Sequence, residues 1–299
     1  MSSLNETRTR PDTMHTKGEI NNHNHNYSKR VLSLSVQEYA TQLEKEYNIT
    51  LLPPGLDTTA EDNMLACRIY DCMDPLLVLG RQRSNDITAL YNALVVSSSS
   101  ITSGFGSMTT TGREEQEQVL DHKRQALLYL LTRGQMSQGC KVEPPIQVDY
   151  GHNTTLGNSV LLGSNTVLLD CARITIGDRT ILGPGVKLLG ATHPLNPLLR
   201  YPIRQFDYAM EIRVGKDCCV GAGAVLCPGV VIGDGVMVLE GSVVTKSVLP
   251  GFVVIGGCPA RVVRVLERVD VEREGGGKVG DLFDNNEWKP PVVGTMELP

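Results

Sequence analysis

The chain reads as mainly β, a parallel β-helix built from six-residue repeats behind an N-terminal helical segment, and three features of the sequence predict this. Aliphatic residues recur six apart at Leu156, Leu162 and Leu168, at Ile176, Leu182 and Leu188 after a two-residue slip, and at Val214, Val220, Leu226, Ile232, Val238 and Val244. That step fits neither the strand period of about 2 nor the helix period of about 3.6, but it fits a stack of short parallel strands, each sending one aliphatic side chain to a narrow interior. An ordinary parallel sheet needs a crossover of a dozen or more residues between strands, and Val214 to Val244 leaves no room for one. The N-terminal third carries helical spacing instead.

Taken in order, residues 1–35 contain both charge signs, Asn and Thr but no apolar run, so they are expected to form a disordered tail and not a signal peptide. Residues 36–140 are expected to be helical, with a first break at "NITLLPPGLDTT", where two prolines and a glycine stop a helix. Within them, 95–112 ("VVSSSSITSGFGSMTTTG") is too rich in Ser, Thr and Gly to pack and predicts a flexible insertion. The next stretch, "REEQEQVLDHKRQALLYLL", places Leu120, Leu127, Leu128 and Leu131 on one helical face and His122 on the polar, solvated side.

Residues 141–266 are expected to hold the stack, in strands of about six residues, three to a coil, with coils at about the 4.8 Å spacing of paired strands. Gly157, Gly163, Gly177, Gly183, Gly215, Gly221 and Gly233 follow the periodic aliphatics and are expected to permit tight corners. The period breaks only between Leu188 and Val214, so that piece leaves the stack as an extruded loop. Residues 267–299 lack periodicity and predict a mobile C-terminal tail.

Composition narrows the function. Twenty-eight basic against 33 acidic residues give a net charge of −5 with no basic stripe, so nucleic acid is not an expected partner. No apolar run reaches the roughly 18 residues of a membrane span, and a cytoplasmic protein without a membrane partner is expected. The eight cysteines lie mostly in apolar segments without paired metal spacing and are expected to be reduced core residues. Only His152 and His193 fall in the repeat region, too few for a three-histidine zinc site, so no metal is expected.

Four motifs in order, "EPPIQVDYG", "IGDRTILGPGVKLLGATHP", "CPGVVIGDGVMVLEGSVVTKSV" and "GGCPARVVR", with the upstream "MLACRIYDCMDPLLVLGRQR", resemble the maltose/galactoside O-acetyltransferase group of the hexapeptide-repeat acyltransferases over about residues 62–266. The resemblance implies a left-handed β-helix, a homotrimer with sites between subunits, and acetyl-CoA as co-substrate. The acceptor it implies is a hydroxyl of a sugar or other small molecule. It assigns the catalytic role to His193 in "THP". An alcohol ionises far above neutral pH, so a base must take its proton as it attacks the thioester, and imidazole can then return that proton to the leaving thiolate. The resemblance also places Asp71, Arg81 and Asn165 at the acceptor, and Ala222, Thr245, Lys246, Arg261 and Arg264 at the coenzyme, whose phosphates call for cations.

The chain departs from the family pattern at three places. Gly163 stands where the first asparagine of an Asn-Phe-Asn motif is usual, Cys219 where tryptophan is usual, and Leu239 and Glu240 where smaller residues are usual. Two other functions are therefore kept beside O-acetylation: acetylation of an amino sugar, whose amine needs less help from a base, and a non-catalytic member that keeps the stack as a binding module.

Overall fold

The computed structural model describes residues 26–94, 110–197, 200 and 206–266. From residue 141 the chain winds into a parallel β-solenoid with three faces. One face stacks Thr154–Leu156, Ile174–Ile176, Ile212–Val214 and Val231–Ile232. A second runs from Lys141–Val142 through Leu161–Leu162, Ile181–Leu182, Cys219–Val220 and Met237–Val238 to Val253–Gly257, and Ala260–Val265 closes it as an antiparallel hairpin. The third stacks Ile146–Val148, Thr166–Leu169, Lys187–Leu189, Val225–Leu226 and Val243–Val244.

The periodic aliphatics are the residues in register inside this stack. Leu156, Ile176, Val214 and Ile232 form one buried column, Leu162, Leu182, Val220 and Val238 a second, and Leu168, Leu188, Leu226 and Val244 a third. The strands of the stack are shorter than the six residues expected. They span two to four residues before the terminal hairpin, because each six-residue unit must also turn a corner. Paired positions lie 20 residues apart in the early coil, 38 across the extruded loop and 18 in the later coil.

The glycines act differently from the expectation. A Cβ built on Gly157, Gly163, Gly177, Gly183, Gly215, Gly221 or Gly233 would come within 2.8 Å of the neighbouring turn of chain. None of the seven has a positive φ; the left-handed residue is the one two positions later, at Ser159, Asn165, Arg179, Gly185, Asp217, Gly223 and Gly235. Glycine is therefore required by close approach between coils, and the corner itself is turned two residues further on.

Among the described residues, a helical stretch at 26–32 and then α1 (Val36–Glu46), α2 (Thr59–Leu65), α3 (Pro75–Ala93) and α4 (Thr110–Thr132) precede the stack. Ser35 and Glu38 form a reciprocal capping box on α1, and Asp74 caps α3 ahead of Pro75, each satisfying amides that the first turn leaves unpaired. The N-terminal boundary at residue 35 needs correction. Residues 26–32 are helical and Val31 is buried in the main core with Tyr39 and Leu43, so apolar burial orders them despite their polar neighbours. Residues 1–25 lie outside the described residues.

Helix α4 starts inside the stretch expected to be flexible, while 95–109 and the expected tail 267–299 lie outside the described residues. His122 is not on a solvated face. Its ring stacks on Tyr39 of α1 with centroids 5.4 Å apart and planes within 5°. Among the described residues no helix is long and apolar enough to cross a membrane, and none of the eight cysteines forms a disulfide.

Helix α3 covers the open end of the stack and satisfies its edge. Ser84 Oγ donates to the Val148 carbonyl at 2.9 Å, and Tyr91 Oη donates to the Val142 carbonyl at 2.6 Å. Asn92 pairs with Ile146 twice: its Nδ2 donates to the Ile146 carbonyl at 2.8 Å, and the Ile146 amide donates to its Oδ1 at 2.9 Å. Unpaired strand edges recruit other chains, so this helix is part of the solenoid's closure. Asn92→Ala leaves a part-buried backbone donor and acceptor unpaired and is expected to cost about 1–3 kcal/mol. A urea-unfolding midpoint unchanged from wild type would contradict this role.

Candidate functional site

The extruded chain leaves the third face at Gly190 and forms a small antiparallel ribbon. Ala191–Thr192 pairs with Phe206–Ala209, which pairs in turn with Tyr70–Asp71 from the N-terminal segment. Ala191 lies opposite Ala209, Thr192 opposite Tyr208, and Tyr70 opposite Asp207. Continuing that register by one residue brings His193 opposite Asp207, and residues facing each other across such strands share a side of the sheet. His193 Nδ1 and Asp207 Oδ1 are 2.6 Å apart.

The electrostatics follow from that pair. The His193 side chain is 71% exposed and Asp207 19% exposed, so a largely shielded carboxylate holds an accessible ring. With Nδ1–H donating to the carboxylate, Nε2 keeps the lone pair needed to take a proton. Behind the ribbon, burial raises the Cys72 thiol above its ordinary value, and the Asp207 carboxylate raises it further.

Asp207 was not singled out by sequence reasoning. Its signal lay in "QFDYAM", where an acid sits between two aromatics on the return arm of the loop. Reading that arm as a strand paired with "ATH" would have set the acid opposite His193.

The expected acceptor residues divide. Asp71 sits on the strand beside Asp207, is exposed, and its Oδ1 accepts from the Met73 amide at 2.9 Å. Arg81 is committed elsewhere: it donates to Tyr150 Oη and to the Cys72 carbonyl, each at 2.6 Å. A part-buried guanidinium must find acceptors, and these are internal ones. Asn165 occupies a left-handed corner with φ 60° and donates its amide to the Pro145 carbonyl at 2.6 Å, a conformation that asparagine tolerates well.

The expected coenzyme residues are exposed and lie on three parts of the solenoid. Ala222 is on the same corner row as Asn165, at the start of the third face. Thr245 and Lys246 follow Val243–Val244 at its far end, two strands along from Lys187–Leu189, whose exit leads to His193. Arg261 and Arg264 lie on the terminal hairpin, and Arg261 donates to the Ala260 carbonyl at 2.8 Å. A single chain thus pairs His193 with Asp207, carries Asp71 on the adjoining strand of the ribbon opposite Phe206, sets Thr245 and Lys246 along the same edge, and leaves Asn165 and Ala222 across the width of a face.

The departures also find physical reasons. A Cβ at Gly163 would stand 2.7 Å from the Pro184 amide nitrogen, so the next coil closes over the position where an asparagine was expected. Glu240 is exposed at its corner. Burial raises the Cys219 thiol, with the Glu240 carboxylate adding to it.

The second histidine of the repeat region is tied elsewhere. His152 Nε2 is 3.3 Å from Glu61 Oε1 of α2. The hydrogen bond from His152 holds the Glu61 carboxyl below its ordinary value against the opposing effect of burial. Among the described residues no group of three or more His, Cys, Asp or Glu could hold a metal ion.

Comparison with known proteins gives consistent results. A family model described as bacterial transferase hexapeptide (six repeats) matches residues 211–246. The chain is similar to nodulation protein L of Rhizobium meliloti, 43% identical over 43% of this chain and 69% of that protein. It is also similar to galactoside O-acetyltransferase of Escherichia coli, 36% identical over 43% of this chain and 62% of that protein. The chain therefore spans less than two thirds of the E. coli relative. Among solved structures, a galactoside acetyltransferase in complex with coenzyme A matches with a TM-score of 0.57 and 26% identity, covering 72% of this chain and 94% of the other.

The lowered Glu61 carboxyl makes a pH prediction. A carboxyl that ionises more readily folded than unfolded stabilises the fold above its unfolded pKa, and this is lost as pH falls through the folded pKa. Glu61→Gln should accordingly flatten the decline in urea midpoint between neutral pH and the acid side of the carboxylate range, whereas a variant declining as steeply as wild type would refute the pairing.

Proposed function

The chain belongs to the hexapeptide-repeat acetyltransferase family, and from that premise we propose that it transfers the acetyl group of acetyl-CoA to a hydroxyl of a sugar or other small molecule, with His193 as general base. The observation that carries this reading is the 2.6 Å pair between His193 and Asp207 on the loop ribbon. His193 Nε2 takes the hydroxyl proton as the acceptor oxygen attacks the thioester carbonyl. The tetrahedral centre then collapses, the carbon–sulfur bond breaks, and the imidazolium returns its proton to the coenzyme thiolate. Asp207 fixes the ring and offsets the positive charge it gains, as a carboxylate does behind a catalytic histidine.

Acetyl-CoA is the co-substrate in this reading, supported by the similar galactoside acetyltransferase that holds coenzyme A. Lys246, Arg261 and Arg264 are exposed cations suited to its phosphates, and the corner at Ala222 and Gly223 leaves open space beside Gly223 for the pantetheine arm. Asp71 and Asn165 are proposed to meet the acceptor. Eight cysteines without a disulfide are compatible with a reducing, cytoplasmic setting.

The proposed homotrimer rests on the outer side of the second face. Its paired strands align Leu161, Ile181, Cys219, Met237 and Val254 in one outward column, while the first face shows Thr155, Thr175, Arg213 and Val231. Such an apolar column favours self-association over solvation, and Cys219 extends it.

Two measurements test these readings. In a screen of hydroxylated and amine acceptors that follows release of coenzyme thiol, wild type is expected to favour hydroxyls. His193→Ala should lose about 10²- to 10⁴-fold in kcat, and Asp207→Asn should lose less with its fold intact. Equal turnover by His193→Ala would sink the base assignment, and preference for amines would reassign the reaction. For assembly, sedimentation should find wild type trimeric and Ile181→Glu dissociated; a monomeric wild type would refute the trimer.

A further inference from the structure

We infer that Arg81 is a positioning residue that holds the catalytic ribbon through Tyr150, and not a ligand of the acceptor. The inference rests on the reading of His193 and Asp207 as the reacting pair. Three observations converge on it. The Arg81 guanidinium bridges two parts of the molecule, donating to Tyr150 Oη on the solenoid and to the Cys72 carbonyl just past the Tyr70–Asp71 strand, both at 2.6 Å. Its carbon Cζ also lies 5.8 Å from the Tyr150 ring centroid, over the ring. Tyr150 in turn is 3% exposed and donates its amide to the fully buried Asp170 carboxylate at 2.8 Å, so the anchor is rigid.

The third observation comes from α3. Gly80 precedes Arg81 in the second turn of a 19-residue helix, an interior position where glycine costs about 1 kcal/mol relative to alanine. A Cβ there would meet Tyr150 Cδ1 at 3.1 Å. The glycine therefore gives the Tyr150 ring its seat against the helix, and the next residue grips that ring's hydroxyl. Arg81 locks a strand end to the solenoid at the point where Tyr70 pairs with Asp207 and Asp207 meets His193. A base displaced by about 1 Å can lose about 10²-fold in rate, so the chemistry depends on this lock without Arg81 touching a reactant.

The test uses Arg81→Ala, Arg81→Lys, Tyr150→Phe and the double variant Arg81→Ala/Tyr150→Phe in the full chain. Tyr150→Phe removes only the hydroxyl and should lower kcat about tenfold while leaving the acceptor KM unchanged; Arg81→Ala should lower kcat by about 10²-fold, again at constant KM. Arg81→Lys, which can reach only one of the two acceptors at a time, should fall between them. The double variant should be no worse than Arg81→Ala alone, since both act through one contact. A raised acceptor KM in Arg81→Ala, with Tyr150→Phe silent or the two losses multiplying, would overturn the inference and return Arg81 to the acceptor.

A readout independent of turnover separates this inference from the functional reading. Hydrogen exchange should show loss of protection confined to Tyr70–Asp71 and Phe206–Ala209 in both Tyr150→Phe and Arg81→Lys. Should wild type transfer no acetyl group, the functional reading fails while the lock is still judged by exchange. Unchanged protection in both variants would refute the lock whatever the activity.

Discussion

Successive coils of this protein pass so close at two of their corners that seven positions cannot carry a side chain. A Cβ at Gly157, Gly163, Gly177, Gly183, Gly215, Gly221 or Gly233 would come within 2.8 Å of the adjacent chain. That close approach lets amide and carbonyl groups pair from coil to coil, as in Gly163 to Leu182, Gly183 to Val220 and Gly221 to Val238. It also draws the three aliphatic columns into one dry interior, where buried area supplies most of the stabilisation. Each coil is held by its neighbours, so cooperativity runs along the stack, and the two ends are where it must be closed. Helix α3 closes one end with side chains that act as surrogate strand partners, and the antiparallel hairpin closes the other.

A stack of this kind can extrude a long piece of chain without losing register. The interval between paired positions rises from 20 to 38 residues across the loop and falls to 18 afterwards, yet the columns continue. The loop spends its first and last described residues on a ribbon that takes its third strand from the N-terminal segment. The helical segment therefore has two mechanical duties, covering the solenoid's open end and completing the ribbon that carries the His193–Asp207 pair. The second duty places the His193–Asp207 pair at the junction of three chain segments.

The departures from the family pattern have definite places in this setting. Gly163 belongs to the row of glycines that the coils require, and Cys219 belongs to an outward apolar column in which a small apolar residue fits. Glu240 occupies an exposed corner. Among the described residues no hydrogen bond joins any of the three to the His193–Asp207 pair. Arg81, expected at the acceptor, turns its donors to the acceptors at hand, Tyr150 Oη and the Cys72 carbonyl, because it is part-buried.

The sequence by itself determined the solenoid, because a six-residue aliphatic step has no other economical burial, and its motifs pointed to His193 in "THP" as the candidate base through the family resemblance they carry. It also marked α1 and most of α4 as helical through local spacing, while the break between α2 and α3 was not among its signals. Only the tertiary structure decided the partner of His193, since Asp207 lies 14 residues away in sequence and meets it through strand pairing. The same holds for residues 26–32, whose order depends on Val31 reaching a distant core, and for His122, whose polar-face position is covered by Tyr39. In each case local pattern records what a residue prefers, while the identity of its neighbour depends on segments far along the chain, and that is settled only when they pack.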